Sequence, residues 1–243
     1  MPEGPSIVIL KEAVQSFKGQ HVLEVAGNRK IDLQRMEGQK VLDFLSFGKQ
    51  FFIKFKKFSV RIHLLLFGTY RINERKETAP RLRLIFKEGE LNFYGCSVQY
   101  VEEELDALYD WSADIMADTW DPGKAKMKLL KLPNALVCDA LLNQDIFAGV
   151  GNIIKNEVLY RIRVHPKNAV KDLPDEKLEE LIKEARNYSF DFLEWKKQFV
   201  LKKHWLAHTK KICRRCDLPI KKLYLGKTNR RSFFCDNCQI TYA

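Results

Sequence analysis

Four cysteines carry the spacing of a metal site: Cys213-x2-Cys216-x18-Cys235-x2-Cys238. Each CxxC pair can present two thiolates to one ion from a tight turn, and two such pairs close a tetrahedron. A closed four-thiolate site leaves no position for water, so the zinc it implies is structural. Its binding would fold a tail too small to bury a core of its own. Four unligated thiols are the alternative, and the spacing speaks against it. Between the pairs lie Lys221, Lys222, Lys227, Arg230 and Arg231. They read either as a hairpin presenting guanidinium groups to phosphates or as a solvated basic loop.

The opening residues, Met1-Pro2-Glu3-Gly4-Pro5, hold a second possibility. Met before a small residue such as Pro is normally removed, which leaves a free secondary amine on Pro2. An α-amino group titrates at about 8, so a useful fraction is neutral near pH 7, unlike a lysine at about 10. Such an amine can attack a sugar C1′ and displace what is attached there, and the resulting iminium acidifies the neighbouring sugar proton. Glu3 beside it could move protons. Taken alone, Pro-Glu also reads as an ordinary helix start. A third group is Gly149-Val150-Gly151-Asn152, between two apolar runs. Two glycines permit a tight turn close to a ligand, with Asn152 and the first N–H groups of a helix holding a phosphate. The plain alternative is a helix–turn–helix junction with Asn152 as N-cap.

These groups sit in a strongly basic chain, with 42 Lys+Arg against 31 Asp+Glu and a formal charge of +11. An excess of this size favours a polyanionic partner, DNA or RNA above all. The charge is also segregated: residues 196–231 hold 13 Lys/Arg and one acid, whereas residues 101–121 hold eight acids and no Lys or Arg. One face is thus built for phosphates, with another segment kept away from them. The hydrophobic fraction of 46% is enough for a real core. The longest apolar run, residues 62–67, is broken by His63 and is far too short to span a membrane. The opening residues lack the basic leader of a signal peptide, so a cytosolic protein is expected. Cys96 and Cys138 stand apart and read as buried residues.

The elements that must position these groups follow from periodicity. Ile7, Leu10, Val14 and Phe17 form one apolar stripe, so a helix is expected over residues 5–17, stopped by Gly19. Short runs rich in β-branched and aromatic residues follow at 21–26, 40–47, 50–55, 60–66, 69–72, 81–86, 90–94 and 97–101. That rhythm predicts an antiparallel sandwich or barrel. Helical spacing then appears at 125–132, 135–142, 153–161 and 175–195, the last with Asp175 as its N-cap. The fold class is therefore α+β: an N-terminal β-sandwich domain with a leading helix (residues 1–115), an acidic linker (116–123), a helical domain (124–206) and a zinc module (207–243).

Together these pieces resemble the formamidopyrimidine-DNA glycosylase and endonuclease VIII family over nearly the whole chain. The resemblance rests on MPEGP (1–5), FGKQFFIKF (47–55), HLLLFG (63–68), LLNQDIFAGVGNIIKNEVLYRIRVHP (141–166) and RRSFFCDNC (230–238) among the CxxC pairs. It implies a β-sandwich followed by a helix–two-turns–helix domain and a zinc finger, acting as a monomer on double-stranded DNA with oxidised bases or abasic sites. The damaged nucleotide is flipped out in such enzymes. By the same resemblance Pro2 is the Schiff-base nucleophile and Glu3 the general acid/base. Lys49 contacts the phosphate beside the lesion, and Asn152 and Arg230 grip phosphates. Leu66 and Phe67 fill the gap left by the flipped base, and Cys213, Cys216, Cys235 and Cys238 hold one structural zinc. The implied activity is base excision followed by strand cleavage through β,δ-elimination, in the bacterial cytosol or nucleoid.

The departures point within the family. Ser6 replaces a usual second Glu, and Leu66 stands where formamidopyrimidine glycosylases carry Met. Residues 93–98 contain no Arg for an orphaned cytosine, and residues 187–212 contain no Gly or Pro for a flexible flap. These features lean towards endonuclease VIII and oxidised pyrimidines. Leu64, Leu65 and Ser6 also keep open a catalytically reduced damage-binding protein on the same scaffold. An RNA-binding zinc ribbon would account for the charge and cysteines but not for the N-terminus.

Overall fold

The computed structural model describes residues 2–28 and 31–242. It divides into two compact units, one ending at Tyr109 and one beginning at Asp110.

In the first unit, helix α1 (Gly4–Ala13) starts with Pro5 in its first turn and buries Ile7 and Leu10 completely. The helix is shorter than residues 5–17: it ends at Ala13, and Gln15–Phe17 form a separate 3-10 turn. Val14 and Phe17 nevertheless stay on the buried stripe. Gly19, at φ 84, turns the chain away as expected.

Six strands follow: β1 (Glu24–Ala26), β2 (Asp43–Phe47), β3 (Gln50–Lys54), β4 (Ser59–Ile72), β5 (Leu82–Phe86) and β6 (Gly89–Val101). They pair antiparallel in the order β1-β5-β6-β4-β3-β2. The runs expected as separate strands at 60–66 and 69–72 join into β4, and those at 90–94 and 97–101 into β6. These two long strands run through both halves of the sheet. The early half of β4 also pairs with β3, and the early half of β6 with β5, so the ladder folds over on itself as a sandwich. Its inner faces alternate as a half-buried sheet requires, for example Leu82, Leu84 and Phe86 inward. Phe51 of β3 meets Phe93 of β6 at 5.9 Å between ring centroids. The α1 stripe joins this core. A short helix, α2 (Leu105–Leu108), closes the unit.

The second unit takes in residues expected elsewhere. Residues 110–115 were assigned to the β domain and 116–123 to a linker. Instead Asp114 pairs with Ala148, Ile115 is fully buried, and Trp120 packs on Phe147 with centroids 5.8 Å apart. The few large apolar side chains of this acidic stretch decide its place. Helix α3 (Pro122–Leu130) is capped by Asp121, whose carboxylate accepts from Lys124 N–H at 2.9 Å. Helix α4 (Val137–Ala140) is a single turn where residues 135–142 were expected. Helix α5 (Asn152–Arg161) is buried from Ile153 to Tyr160. Helix α6 (Asp175–Lys197) is the longest, and its N-cap is Pro174, so Asp175 lies in the first turn rather than capping it. The tail forms a hairpin of β7 (Lys221–Leu225) and β8 (Arg230–Phe234), packed in the same unit as the helices. Among the described residues, no helix is long and apolar enough to cross a membrane.

Candidate functional site

The first unit gathers one set of the expected residues. Pro2 is half-buried at the head of α1, and Glu3, the N-cap, has no exposed surface. Ser6 accepts a long hydrogen bond from Glu3 N–H, 3.4 Å to its Oγ, and Ser6 N–H donates to the Glu3 carbonyl at 2.8 Å. Helix α1 packs against β2 and β3, the hairpin whose turn contains Gly48 and Lys49. The removal of Met1 lies outside the described residues. Gly48 adopts φ 53, so a left-handed turn aims Lys49. Beside it, Gln50 accepts from the Tyr109 hydroxyl at 2.9 Å, and Arg61 donates to that same oxygen at 3.2 Å. Tyr109 packs on Phe47 and Phe52, at 4.8 and 5.3 Å, so the hairpin under Lys49 is stiff.

His63, which the sequence reading did not single out, pairs across the ladder with Gln50. Burial lowers its pKa, and the positive charges of Lys49 and Arg61 lower it further. A polar residue within the 62–67 apolar run was the available signal.

The expected wedge residues sit on a bulge. Pairing runs from Leu64 opposite Cys96 directly to Thr69 opposite Tyr94. Residues 65–68 of β4 thus face Gly95 alone on β6. The surplus is extruded: Leu65, Leu66 and Phe67 are 49, 50 and 87% exposed. Gly68 is required here, because a Cβ would lie 2.7 Å from the Gly95 carbonyl oxygen.

The second unit gathers the other set. The turn before α5 is held by Gln144, which accepts from Gly149 N–H at 3.2 Å and donates to the Leu142 carbonyl at 2.8 Å. Gly149 has φ 103. The N-cap is Gly151, so Asn152 is the first helical residue and not the cap. Among the described residues its buried Oδ1 has no hydrogen-bond partner.

The four cysteine sulfurs lie within 4.8 Å of one another, with Cys213–Cys238 at 3.8 Å and Cys216–Cys235 at 3.5 Å. Metal–sulfur bonds of about 2.3 Å place tetrahedral ligands about 3.8 Å apart, so the cluster fits one tetrahedral ion. Three polar residues in the middle of α5 anchor this module, and periodicity alone would have left them facing water. Lys155, 1% exposed, donates to the Ser232 hydroxyl at 2.9 Å and the Arg231 carbonyl at 3.2 Å. Asn156 accepts from Phe233 N–H at 3.2 Å. Glu157 accepts from the N–H groups of Leu206, Ala207 and His208 at 2.8, 2.9 and 2.6 Å. Burial pushes Glu157 above the usual carboxylate range, against the pull of these donors. His208 is held down to about 4 by burial and by the charges of Lys155 and Arg231, so it is neutral near pH 7.

Arg230 is exposed at the start of β8, opposite Leu225. The turn before it is fixed by Asp139 of α4, whose carboxylate accepts from Lys227 N–H at 2.7 Å, Thr228 N–H at 3.2 Å and the Thr228 hydroxyl at 2.6 Å. Gly226 has φ 70, and a Cβ there would lie 2.1 Å from the Asp139 carboxylate. Asp139→Ala is therefore expected to lower stability by about 1–2 kcal/mol, the scale of charge-assisted bonds to a partly exposed turn. Gly226→Ala should lower it further, by adding strain to the clash. Thermal denaturation with metal content measured alongside checks both. An unchanged melting point in Asp139→Ala would show that the turn needs no anchor.

The formamidopyrimidine-DNA glycosylase H2TH domain matches residues 113–198. Endonuclease 8-like 3 of Mus musculus is 30% identical over 201 residues, covering 79% of this chain and 33% of that protein. The chain thus spans about a third of the length of that relative. The DNA-(apurinic or apyrimidinic site) lyase Nei2 of Mycolicibacterium smegmatis is 28% identical over 185 residues, covering 71% of this chain and 72% of Nei2. The crystal structure of Lactococcus lactis formamidopyrimidine DNA glycosylase, non-covalently bound to DNA containing an abasic site, superposes with a TM-score of 0.86. It covers 98% of this chain and 99% of that one at 18% identity, which establishes the shared fold. Fold, domain match and relatives all point to the formamidopyrimidine-DNA glycosylase and endonuclease VIII family, whose H2TH domain the chain carries.

Proposed function

We propose that this protein is a bifunctional DNA glycosylase and abasic-site lyase acting on double-stranded DNA, with oxidised pyrimidines as its preferred damaged bases. The observation that carries the reading is Glu3: it is completely buried beside the half-buried Pro2 at the head of α1. Burying a carboxylate costs free energy that partners must offset, and one held out of water beside an amine is placed to exchange protons there. The names of the relatives support the same activity.

With Met1 removed, the neutral Pro2 amine adds to C1′ and the base leaves, taking the amine proton; the C1′–O4′ bond then breaks, O4′ takes a proton, and the ring opens to an iminium. The iminium acidifies the C2′ proton, whose loss expels the 3′-phosphate, and a second elimination expels the 5′-phosphate. Glu3 exchanges protons with the ribose and the sugar carbon. Lys49, Asn152 and Arg230 hold phosphates, and His63 joins Lys49 on its strand pair. Asn152 is free for this because Gly151 takes the cap. Leu66 and Phe67 enter the base stack from their bulge. The four cysteines hold zinc, which fixes the hairpin that carries Arg230. The pyrimidine preference rests on the missing Arg in residues 93–98 and on a segment from 187 to 212 without Gly or Pro.

The test is borohydride trapping on duplexes carrying an abasic site, 5,6-dihydrouracil, thymine glycol or 8-oxoguanine. A covalent adduct should form, map to Pro2 by mass spectrometry and vanish when the α-amine is acetylated. An adduct on a lysine would move the nucleophile away from Pro2, and none at all with a free Pro2 amine and intact DNA binding would leave a damage-binding protein instead. Trapping on 8-oxoguanine ahead of the pyrimidines would remove the preference alone.

A further inference from the structure

We propose that Phe199 is a stacking platform for an unpaired nucleobase of DNA, a contact that rests on the DNA-binding reading above but not on its chemistry. Phe199 follows the end of α6. Its N–H donates to the Lys196 carbonyl at 3.1 Å, and Val200 N–H donates to the Trp195 carbonyl at 2.9 Å. That pair of bonds is the Schellman closure, in which the residue after the cap is left-handed and is usually Gly. Phe199 has φ 60. A bulky residue is disfavoured in this conformation, and nothing is gained by packing, because the side chain is 96% exposed, the most of any large apolar residue described. Glycine would serve the helix end better on both counts, so folding does not account for the aromatic ring.

The surroundings say what the ring meets. Lys197, Lys202 and Lys203 are exposed on either side of it, within the stretch that holds 13 basic residues and one acid. Gln198 is exposed, Val200 is partly buried and Leu201 is buried, and the nearby Trp195 is stacked on His204, so along this segment Phe199 is the one fully exposed ring, set among lysines. A protein or lipid partner would call for a contiguous apolar surface. An aromatic face flanked by cations instead fits a flexible polyanion with exposed rings of its own, the arrangement that binds single strands. A fully paired duplex offers no free base face.

Fluorescence anisotropy on a single-stranded oligonucleotide and on the matching undamaged duplex, at one salt concentration, tests this. Phe199→Ala should weaken single-strand binding about tenfold, the scale of one stacked base, and change duplex binding less than twofold. Phe199→Trp should keep single-strand affinity. Phe199→Gly should show the same binding loss while raising the melting point by about 2–4 °C. Equal binding by Phe199→Ala and the unaltered protein overturns the proposal, as does an equal loss on both DNAs. A fall in melting point in Phe199→Gly would overturn it by assigning the ring to packing. Binding is read without turnover, so failure of Pro2 trapping leaves this comparison intact.

Discussion

Glu3→Gln should lower excision of a damaged base by about two to four orders of magnitude, the range of general acid–base catalysis, and leave the melting point within about 2 °C. The substitution keeps the size of the side chain and the backbone cap of α1, in which Ser6 N–H donates to the Glu3 carbonyl. It removes only the buried charge. Single-turnover excision on a duplex carrying 5,6-dihydrouracil measures the loss. Cleavage of a ready-made abasic site should fall less, because the open sugar aldehyde condenses with an amine without a base having to depart. Unchanged excision would take Glu3 out of the chemistry. A collapse of the melting point would make it a packing residue.

Metal removal is expected to have the second large effect. Among the described residues, the core around the cysteine cluster contains only Tyr160, Ala207, Cys213, Ile220, Phe233 and Cys235 as buried residues, and two of these belong to the cluster itself. So small a cluster does not hold a hairpin against chain entropy, whereas structural zinc binding is worth on the order of 10–16 kcal/mol in isolated fingers. The purified protein should contain one zinc per chain. Chelation or Cys235→Ser should abolish hydrogen-exchange protection across β7 and β8 and weaken binding to abasic duplex DNA at least a hundredfold, since Arg230 loses its mount. Full protection in the metal-free protein would show that Lys155, Asn156 and Glu157 suffice to hold the hairpin.

How far the sequence could be read depended on the distance over which each feature is determined. The cysteine cluster is local twice over, two CxxC turns, and its spacing was enough to expect the four sulfurs together. The β runs were visible because alternation is local too. That four of them are halves of two strands was not, because the partner of residues 65–68 is Gly95, far along the chain. The acidic stretch looked like a linker by charge, yet Ile115 and Trp120 pull it into the helical core, and even Asp114 is buried there. The anchors Lys155 and Glu157 were hidden for the opposite reason. A charged residue in a helix reads as solvent-facing until the tertiary structure supplies carbonyls and N–H groups to meet it. Asn152 shows the limit of cap rules: Gly151 and Asn152 both suit the position, and only the backbone decides between them.

The bulge in β4 has a consequence for how such a protein can diverge. Pairing stops at Leu64 and resumes at Thr69, with a single unpaired residue, Gly95, on the partner strand. The three side chains at the crest therefore belong to neither register and to no core cluster. They form a cassette whose content can be exchanged while the ladder on either side keeps its partners, provided that Gly68 and Gly95 remain to close the gap. Variation in which lesion is probed, and which opposite base is tolerated, is in this way uncoupled from the risk of misfolding. Homologues can differ at 65–67 while the sheet beneath them stays the same.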